Sequence, residues 1–182
     1  MFFKLNVPNG EGTILLKEEL LLPTYAPPEI IHRDAEIKAI AWAIRPLLDG
    51  HTADNLFIYG NTGTGKTTSV RHVLSKLQET TSKVLPVRIN CWEHNTQMAV
   101  YARILEALGS PLPRRGLATD EVFHRIVEVM KREEVAVLVV LDELDSLIHN
   151  REEALLYNLS RAGSNGVKFA IIGISNNKDL TL

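Results

Sequence analysis

The 182-residue sequence has one cysteine, no basic excess and no long apolar run. The single cysteine, Cys91, excludes an intrachain disulfide and a metal site built on thiolates, and favours a reducing compartment. A net charge of −2 gives no global field to attract nucleic acid, so any DNA contact needs a local patch. No stretch approaches the ~20 apolar residues of a membrane span, and the opening residues 1–4 are too short for a signal peptide. We therefore expect a cytoplasmic protein without a membrane partner.

The length and composition are those of one ordinary globular domain. Of the residues, 45% are hydrophobic and 23% are charged, which is close to the average for a folded soluble chain. A chain of this length can bury one sizeable core. Proline and glycine interrupt the first residues, so we expect an irregular segment over 1–24 and a single core over 25–182.

Apolar residues at spacings of three and four predict the helices. Asp34 and Thr119 stand at two helix starts and are predicted N-caps, and acidic residues follow Thr119 in the first turn. The predicted helices cover residues 34–48, 66–79, 97–108, a stretch from Thr119 to about 130, and a short stretch over 152–161.

Strands are predicted over residues 55–59, 84–90, 135–141 and 167–174, of which the last two are continuous apolar, β-branched runs. Runs without polar alternation are typical of strands buried on both faces, as in a parallel sheet covered by helices. Because strands and helices alternate along the chain, we predict an α/β three-layer sandwich with a mostly parallel sheet.

A glycine-rich loop between the first strand and the second helix fits the P-loop pattern at every required position. Its glycines let successive backbone N–H groups face phosphates at a helix N-terminus. Lys66 is predicted to reach the outer phosphates, and the Thr67 hydroxyl is predicted to bind Mg²⁺. The predicted nucleotide-binding residues of this loop are Gly60, Asn61, Thr62, Gly63, Thr64, Gly65, Lys66, Thr67 and Thr68.

Two acidic residues, Asp142 and Glu143, follow the most apolar strand. At the carboxyl end of such a strand they would lie beside the phosphates. We predict that Asp142 binds Mg²⁺ and that Glu143 polarises the attacking water. Strands commonly end in acidic turns, so this pair is informative only in combination with the P-loop. The combination indicates an ATPase that uses ATP/ADP and Mg²⁺.

A polar pair, Asn176 and Asn177, ends the last predicted strand. A side chain here can orient water against the γ-phosphate, and Asn176 is our first choice as a catalytic residue, with Asn177 second. The run Asn177–Asp179 resembles the guanine-reading Asn-Lys-x-Asp pattern, but its aspartate comes one residue too early. We therefore favour ATP over GTP as the nucleotide.

From about Leu20 to its end, the chain resembles the archaeal origin-recognition and cell-division-control initiators, AAA+ ATPases of the replication-initiator branch. The resemblance depends on the segment Tyr25–Ile37, the P-loop, the run Asp142–Asp145 and the run Gly173–Asn177. It implies that the segment from Tyr25 to Arg33 walls the adenine and that Asn176 senses the γ-phosphate. The adenine-wall residues it implies are Tyr25, Ile31, His32 and Arg33.

Members of the initiator family have about twice this length, with a further strand, an arginine finger, a helical lid and a winged-helix DNA-binding domain. We therefore expect a fragment or truncated copy in which the P-loop strand lies at a sheet edge and invites self-association. Without its own arginine finger the chain is expected to hydrolyse ATP very slowly. Arg161, Arg114 and Arg115 are candidates for acting on a neighbouring molecule, although surface charge is the simpler interpretation of each.

The resemblance implies a replication initiator whose partners are origin DNA, contacted mainly through other domains, and the replicative helicase or other initiator subunits. Two alternatives stay open. One is a nucleotide-switched interaction module, and the other is a signalling or clamp-loader type P-loop ATPase without direct DNA binding. Glu143 favours an enzyme, whereas the missing lid favours a binding module. The pair Arg114–Arg115 is the one patch that we would test for DNA contact.

Overall fold

The computed structural model describes residues 33–110, 112 and 116–177, which form alternating helices and strands. In chain order the elements are α1 (Asp34–Leu48), β1 (Leu56–Tyr59), α2 (Lys66–Thr80), β2 (Val84–Asn90), α3 (Gln97–Ala107), α4 (Thr119–Arg132), β3 (Ala136–Asp142), α5 (Asp145–His149), α6 (Glu153–Ser160), a 3-10 turn (Ala162–Asn165) and β4 (Phe169–Ser175). The predicted order of strands and helices is confirmed, and α5 is an addition to it.

The four strands form one parallel sheet in the order β1-β4-β3-β2. The central pair, β3 and β4, is buried along almost its whole length, which explains its uninterrupted apolar sequence. In the register, Leu141 lies opposite Gly173, and Tyr59 lies opposite Ser175. The carboxyl ends of β1, β3 and β4 therefore meet at one edge of the sheet, where an open α/β fold binds its ligand.

Helices cover both faces of the sheet and divide the core in two. On one face α1 and α2 bury residues such as Ile44 and Val70 against Leu138 and Ile172. On the other face α3, α4 and α6 bury residues such as Ile104 against Val139. This arrangement confirms the predicted α/β sandwich.

Both edges of the described sheet have features that sequence reasoning can explain. Pro86 lies in β2, where the missing N–H costs no ladder bond because β2 is an edge strand. The other edge is the P-loop strand β1, as predicted. Its Phe57 and Tyr59 are exposed and stack with ring centroids 5.7 Å apart. Just before β1, the Asn55 Oδ1 accepts a hydrogen bond from the Ile171 N–H at 3.0 Å.

Three predicted details are wrong. Asp34 is the first residue of α1 and Arg33 is its N-cap, and no side chain caps that helix. Likewise Thr119 is the first residue of α4, where Glu121 Oε2 accepts a hydrogen bond from the Ala118 N–H instead. The predicted helix over 152–161 is shorter, and α5 precedes it directly after the acidic pair. Within the described residues, no helix is both long and apolar enough to cross a membrane.

Candidate nucleotide-binding site

The P-loop connects β1 to α2 through two glycines in left-handed backbone conformations. Gly63 has a φ of 79° and Gly65 a φ of 83°, values that residues with a Cβ rarely adopt. Gly65 is the N-cap of α2, so the first N–H groups of a 15-residue helix open toward the loop. Within the loop, the Thr64 Oγ1 donates to the Asn61 carbonyl at 2.9 Å. The loop therefore has the shape that cradles an anion.

Lys66 is the first residue of α2, and its ammonium group is held inside the loop. The side chain is only 8% exposed. Its Nζ donates to the Gly60 carbonyl at 2.8 Å, to the Asn61 carbonyl at 3.0 Å and to the Asn176 Oδ1 at 2.9 Å. A lysine ammonium has three N–H donors, and these acceptors match that number. The positive charge thus lies between the P-loop and the end of β4.

The acidic pair lies at the carboxyl end of β3, beside α2. The Thr67 Oγ1 donates to the Asp142 Oδ1 at 3.1 Å, which joins the two predicted magnesium ligands. Glu143 follows with a φ of 56°, a left-handed conformation that is uncommon for a residue other than glycine. The Leu144 N–H then donates to the Ile174 carbonyl at 2.9 Å and ties the turn to β4. This geometry turns the two carboxylates out of the sheet.

Asn176 connects the P-loop with the acidic pair. Its Oδ1 accepts from Lys66, and its Nδ2 donates to the Glu143 Oε2 at 2.8 Å. Asn177, the second choice from sequence, folds back differently, since its N–H donates to the Ser175 Oγ at 2.8 Å. The Asn176 side chain thus reaches both predicted catalytic groups, Lys66 and Glu143.

Two contacts at this edge were not predicted from the sequence. The Ser175 Oγ donates to the Asp145 Oδ1 at 2.6 Å, and the Asn176 N–H donates to the Asp145 Oδ2 at 3.3 Å. The sequence feature that could have indicated these contacts is Asp145, the third acid of the run Asp142–Asp145, which follows the acidic pair by two residues. Its partner Ser175 is 1% exposed. A buried hydroxyl at a strand end needs an acceptor, and the acid supplies it.

These groups line one cavity of about 300 Å³ at the carboxyl end of the sheet. Its lining consists of Thr62, Gly63, Gly65, Lys66, Thr67, Thr68, Asp142, Glu143, Ile174, Ser175 and Asn176. A larger depression of about 610 Å³ lies at the opposite end of the strands, where Lys83, Glu134 and Lys168 contribute to the lining. It contains no predicted site residue, and parallel sheets bind ligands at their carboxyl ends. We therefore place the candidate site in the smaller cavity.

Comparison with known families agrees with this geometry. A family model described as an AAA domain matches residues 49–180, which include the P-loop, the acidic pair and Asn176. The chain belongs to the AAA domain family.

Relatives of this AAA domain are replication proteins. It is 38% identical over 170 residues to ORC1-type DNA replication protein 1 of Sulfurisphaera tokodaii, covering 92% of this chain and 43% of the relative. It is 40% identical over 173 residues to the ORC1-type DNA replication protein of Thermococcus kodakarensis, covering 90% of this chain and 42% of the relative. The solved structure of the Aeropyrum pernix ORC1 protein in complex with DNA matches with a TM-score of 0.80 at 34% identity, covering 90% of this chain and 44% of that one.

These matches confirm the resemblance to archaeal initiators. They also show that the AAA domain chain spans less than half the length of the curated relatives it matches.

The predicted adenine wall lies mostly outside the described residues. Tyr25, Ile31 and His32 belong to that part, and their role stays a prediction. Arg33 is described, and its guanidinium lies beside the P-loop, since a Cβ added at Gly65 would stand 3.7 Å from the Arg33 Nε. The Arg33 Nη1 also lies 3.4 Å from the Glu36 Oε1. Arg33 therefore lies close to the first residues of α2, next to the P-loop.

Of the three arginines considered for action on a neighbour, the structure describes Arg161, which is not among the residues that line this cavity. Arg161 lies at the end of α6, with its Cζ 4.7 Å from the centre of the Tyr157 ring. That stacking is typical of a surface cation on an aromatic face. Arg114 and Arg115 lie outside the described residues, so the proposed DNA patch stays a prediction.

The residues around Thr67 fit the requirements of Mg²⁺. A hydroxyl and a carboxylate oxygen already lie 3.1 Å apart at the mouth of the P-loop, and Mg²⁺ prefers oxygen ligands from few protein groups, completed by phosphates and water. The described residues contain no cluster of three or more His, Cys, Asp or Glu side chains suited to a metal. That finding is compatible with Mg²⁺ bound through Thr67 and Asp142, since these supply only one carboxylate.

The carboxylates of the site also affect their surroundings. Burial, together with Asp142, Glu143 and Asp145, raises the pKa of Cys91 to about 12. Cys91 is completely buried, so the thiol acts as a small apolar residue at the end of β2. On β2, burial and the charge of Arg71 lower the pKa of Arg88, against an opposing effect of Asp142.

Proposed function

We propose that this AAA domain is the ATP-binding and ATP-hydrolysing core of a DNA replication initiator. We further propose that the chain consists of an irregular segment over residues 1–24 and the nucleotide-binding core over residues 25–182. The observation that carries the proposal is the chain of contacts from Lys66 through Asn176 to Glu143. These contacts bring an ammonium group, an amide and a carboxylate together in one cavity, and we propose them as the phosphate-binding cation, the polar relay and the base for phosphoryl transfer to water. The similarity to ORC1-type replication proteins supports the biological context.

The proposed reaction gives each of these side chains a role. Glu143 accepts a proton from a water molecule as the water oxygen attacks the γ-phosphorus. The bond from the γ-phosphorus to the β–γ bridging oxygen breaks, so ADP leaves with that bonding pair and inorganic phosphate is formed. Lys66 and the amide of Asn176 stabilise the charge on the γ-phosphate oxygens. Thr67 and Asp142 would hold Mg²⁺, which supplies electrostatic stabilisation of the β- and γ-phosphates when bound.

Turnover by the chain alone is expected to be slow. An arginine directed at the γ-phosphate is worth about 10³–10⁵ in rate in related phosphoryl transfers. Among the described residues Arg161 stacks on Tyr157, away from the cavity. We propose that a neighbouring molecule supplies this cation, with the edge of β1 as a site of contact between copies of the chain. A purely monomeric species in light scattering at high concentration would contradict the self-association.

We further propose that the biological partners are origin DNA and either the replicative helicase or other initiator subunits, in the cytoplasm. The net charge of −2 limits direct DNA contact by these residues to a local patch such as Arg114–Arg115. The second candidate is a nucleotide-switched interaction module, which the exposed Phe57 and Tyr59 on the edge strand favour. Salt-dependent DNA binding favours the initiator, whereas nucleotide-dependent association without DNA binding favours the module.

The experiment is a measurement of phosphate release from ATP with Mg²⁺ for wild type, Glu143→Gln and Glu128→Gln. Glutamine keeps an oxygen that can accept from Asn176 but cannot take a proton. We expect Glu143→Gln to lower kcat about 100-fold or more while it changes the Kd for ATP by about twofold at most. Glu128 is exposed on α4, so Glu128→Gln should behave as wild type. Equal turnover in all three proteins would contradict the proposed role of Glu143.

A further inference from the structure

Asp145 contacts two consecutive residues at the end of β4 with its two carboxylate oxygens. The Oδ1 accepts from the buried Ser175 hydroxyl at 2.6 Å, and the Oδ2 accepts from the Asn176 N–H at 3.3 Å. A short O–H···O⁻ bond is charge-assisted and stronger than one between neutral groups. Asp145 itself is half-buried at the start of α5, where β3 has just ended. It therefore connects the turn of the acidic pair with the end of the neighbouring strand.

The hydroxyl of Ser175 is the centre of this junction. It has one hydrogen, and two acceptors lie near it, the Asp145 Oδ1 at 2.6 Å and the Asn177 carbonyl at 2.9 Å. The carboxylate is both nearer and charged, so the hydrogen is directed to Asp145. The oxygen remains free to accept from the Asn177 N–H at 2.8 Å. Asp145 thereby determines the orientation of a hydroxyl around which residues 175–177 fold.

The position of this junction matters because the described ladder ends there. Ser175 is the last residue of β4 with a partner on β1, and pairing with β3 ends at Gly173. Asn176 follows outside the described strand pairing, and its N–H donates to Asp145. Its side chain then reaches Lys66 and Glu143. The direction of the Asn176 side chain thus depends on a backbone that Asp145 holds.

We infer that Asp145 is a positioning residue for the γ-phosphate response, acting on Asn176 through the Ser175 hydroxyl and the Asn176 N–H. Asp145 is not among the residues that line the cavity, so its proposed effect passes through Asn176. This inference rests on the proposed function, since it gives Asn176 the task of distinguishing ATP from ADP. Loss of Asp145 should therefore affect the γ-phosphate response and leave binding of the rest of the nucleotide intact.

The test is a double-mutant cycle on the full chain with Asp145→Asn, Asn176→Ala and the combination of both. In Asp145→Asn the amide keeps one acceptor for the hydroxyl but presents an NH₂ group to the Asn176 N–H. We expect kcat to fall about tenfold or more, with the Kd for ADP changed about twofold at most. The double variant should equal Asn176→Ala within about twofold, because Asp145 has nothing left to position. Asp54→Asn, at an exposed carboxylate before β1, is the matched control.

A second readout separates this inference from the proposed ATPase activity. The ratio of the Kd values for a non-hydrolysable ATP analogue and ADP needs no turnover, and the same cycle is applied to it. A wild type that distinguishes the two nucleotides without hydrolysing ATP would contradict the ATPase proposal, and non-additive loss of that distinction would still support Asp145. Additive effects of Asp145→Asn and Asn176→Ala on the ratio would overturn the inference.

A further variant is used if Asp145→Asn does not fold. Ser175→Ala removes the hydroxyl alone, and we expect it to show the same non-additivity with Asn176→Ala. The side-chain amide resonance of Asn176 in ligand-free spectra should move in Ser175→Ala and stay unchanged in Asp54→Asn. An unmoved resonance together with wild-type kcat in Ser175→Ala would overturn the inference.

Discussion

The Asn176 Nδ2 lies 2.8 Å from the Glu143 Oε2, although the residues are 33 positions apart in the chain. The same amide accepts from Lys66 through its oxygen. A phosphate that draws the Lys66 ammonium outward would therefore weaken the bond from Lys66 to Asn176 and free the amide. Asn176 thus connects Lys66, the proposed phosphate-binding cation, to Glu143, the proposed base. Under the proposed function this connection would let the site respond to the γ-phosphate.

The close packing of β4 against the acidic turn predicts a steric requirement at Gly173. A Cβ added there would lie 2.9 Å from the Leu144 Cδ2, and Leu144 is buried. We expect Gly173→Ala to displace the turn and to lower the free energy of unfolding by roughly 1–3 kcal/mol in urea denaturation. Gly116→Ala is the control, because no described heavy atom lies within 4 Å of its added Cβ. A Gly173→Ala protein as stable as Gly116→Ala would contradict the packing described.

The end of α4 predicts a stabilising substitution. Glu134 has a φ of 51°, and the bonds from the Val135 N–H to the Met130 carbonyl and from the Glu134 N–H to the Lys131 carbonyl form a Schellman motif. Glycine adopts this conformation without strain, so Glu134→Gly should stabilise the fold by roughly 0.5–1 kcal/mol. Glu133→Gly, at a φ of −85°, should instead destabilise it. The measurement is the urea denaturation midpoint of each variant. Midpoints of Glu134→Gly and Glu133→Gly that shift in the same direction would contradict this prediction.

Cys91 is expected to be unreactive in the folded protein. Burial first, and then the carboxylates of the site, raise its pKa from 9.0 to about 12, so the folded state holds the thiol protonated. At pH 8 iodoacetamide should therefore label the folded protein at least about a hundredfold more slowly than the chain in guanidinium chloride, because the thiol is both buried and protonated. The stability that comes from keeping the Cys91 thiol protonated is fully present below its unfolded pKa of 9.0 and is lost as the pH rises from there to about 12. Equal labelling rates in the two states would contradict the burial of Cys91.

Local sequence was sufficient to predict most of the fold. The run from Val135 to Leu141 has no polar residue, and it forms the β-strand Ala136–Asp142 that is buried between two neighbours. The P-loop requires its glycines and its flanking strand and helix, so its position could be read from spacing alone. The helix caps were less predictable, because Asp34 and Thr119 stand one residue inside helices that begin without their side chains.

The candidate site was only partly predictable for a different reason. Lys66 and Glu143 belong to motifs with a known spacing, whereas the contact of Asp145 with Ser175 joins two strand ends 30 positions apart. Such a contact depends on the sheet order that places β4 beside β3, which no local pattern specifies. The sequence could not decide between Asn176 and Asn177 for a similar reason, because the direction of each side chain depends on how the backbone turns after Ser175.

The central claim is that Lys66 and the P-loop form a nucleotide-binding site, and a calorimetric titration tests it most directly. Wild type, Lys66→Ala and Lys76→Ala are titrated with ADP and with ATP in the presence of Mg²⁺. Lys76 is the control, as it lies on the same helix with an exposed side chain that pairs with Glu79. We predict binding at about micromolar concentration or tighter for wild type and Lys76→Ala, and its loss in Lys66→Ala. A folded wild type that binds neither nucleotide, or equal binding by Lys66→Ala, would contradict the account.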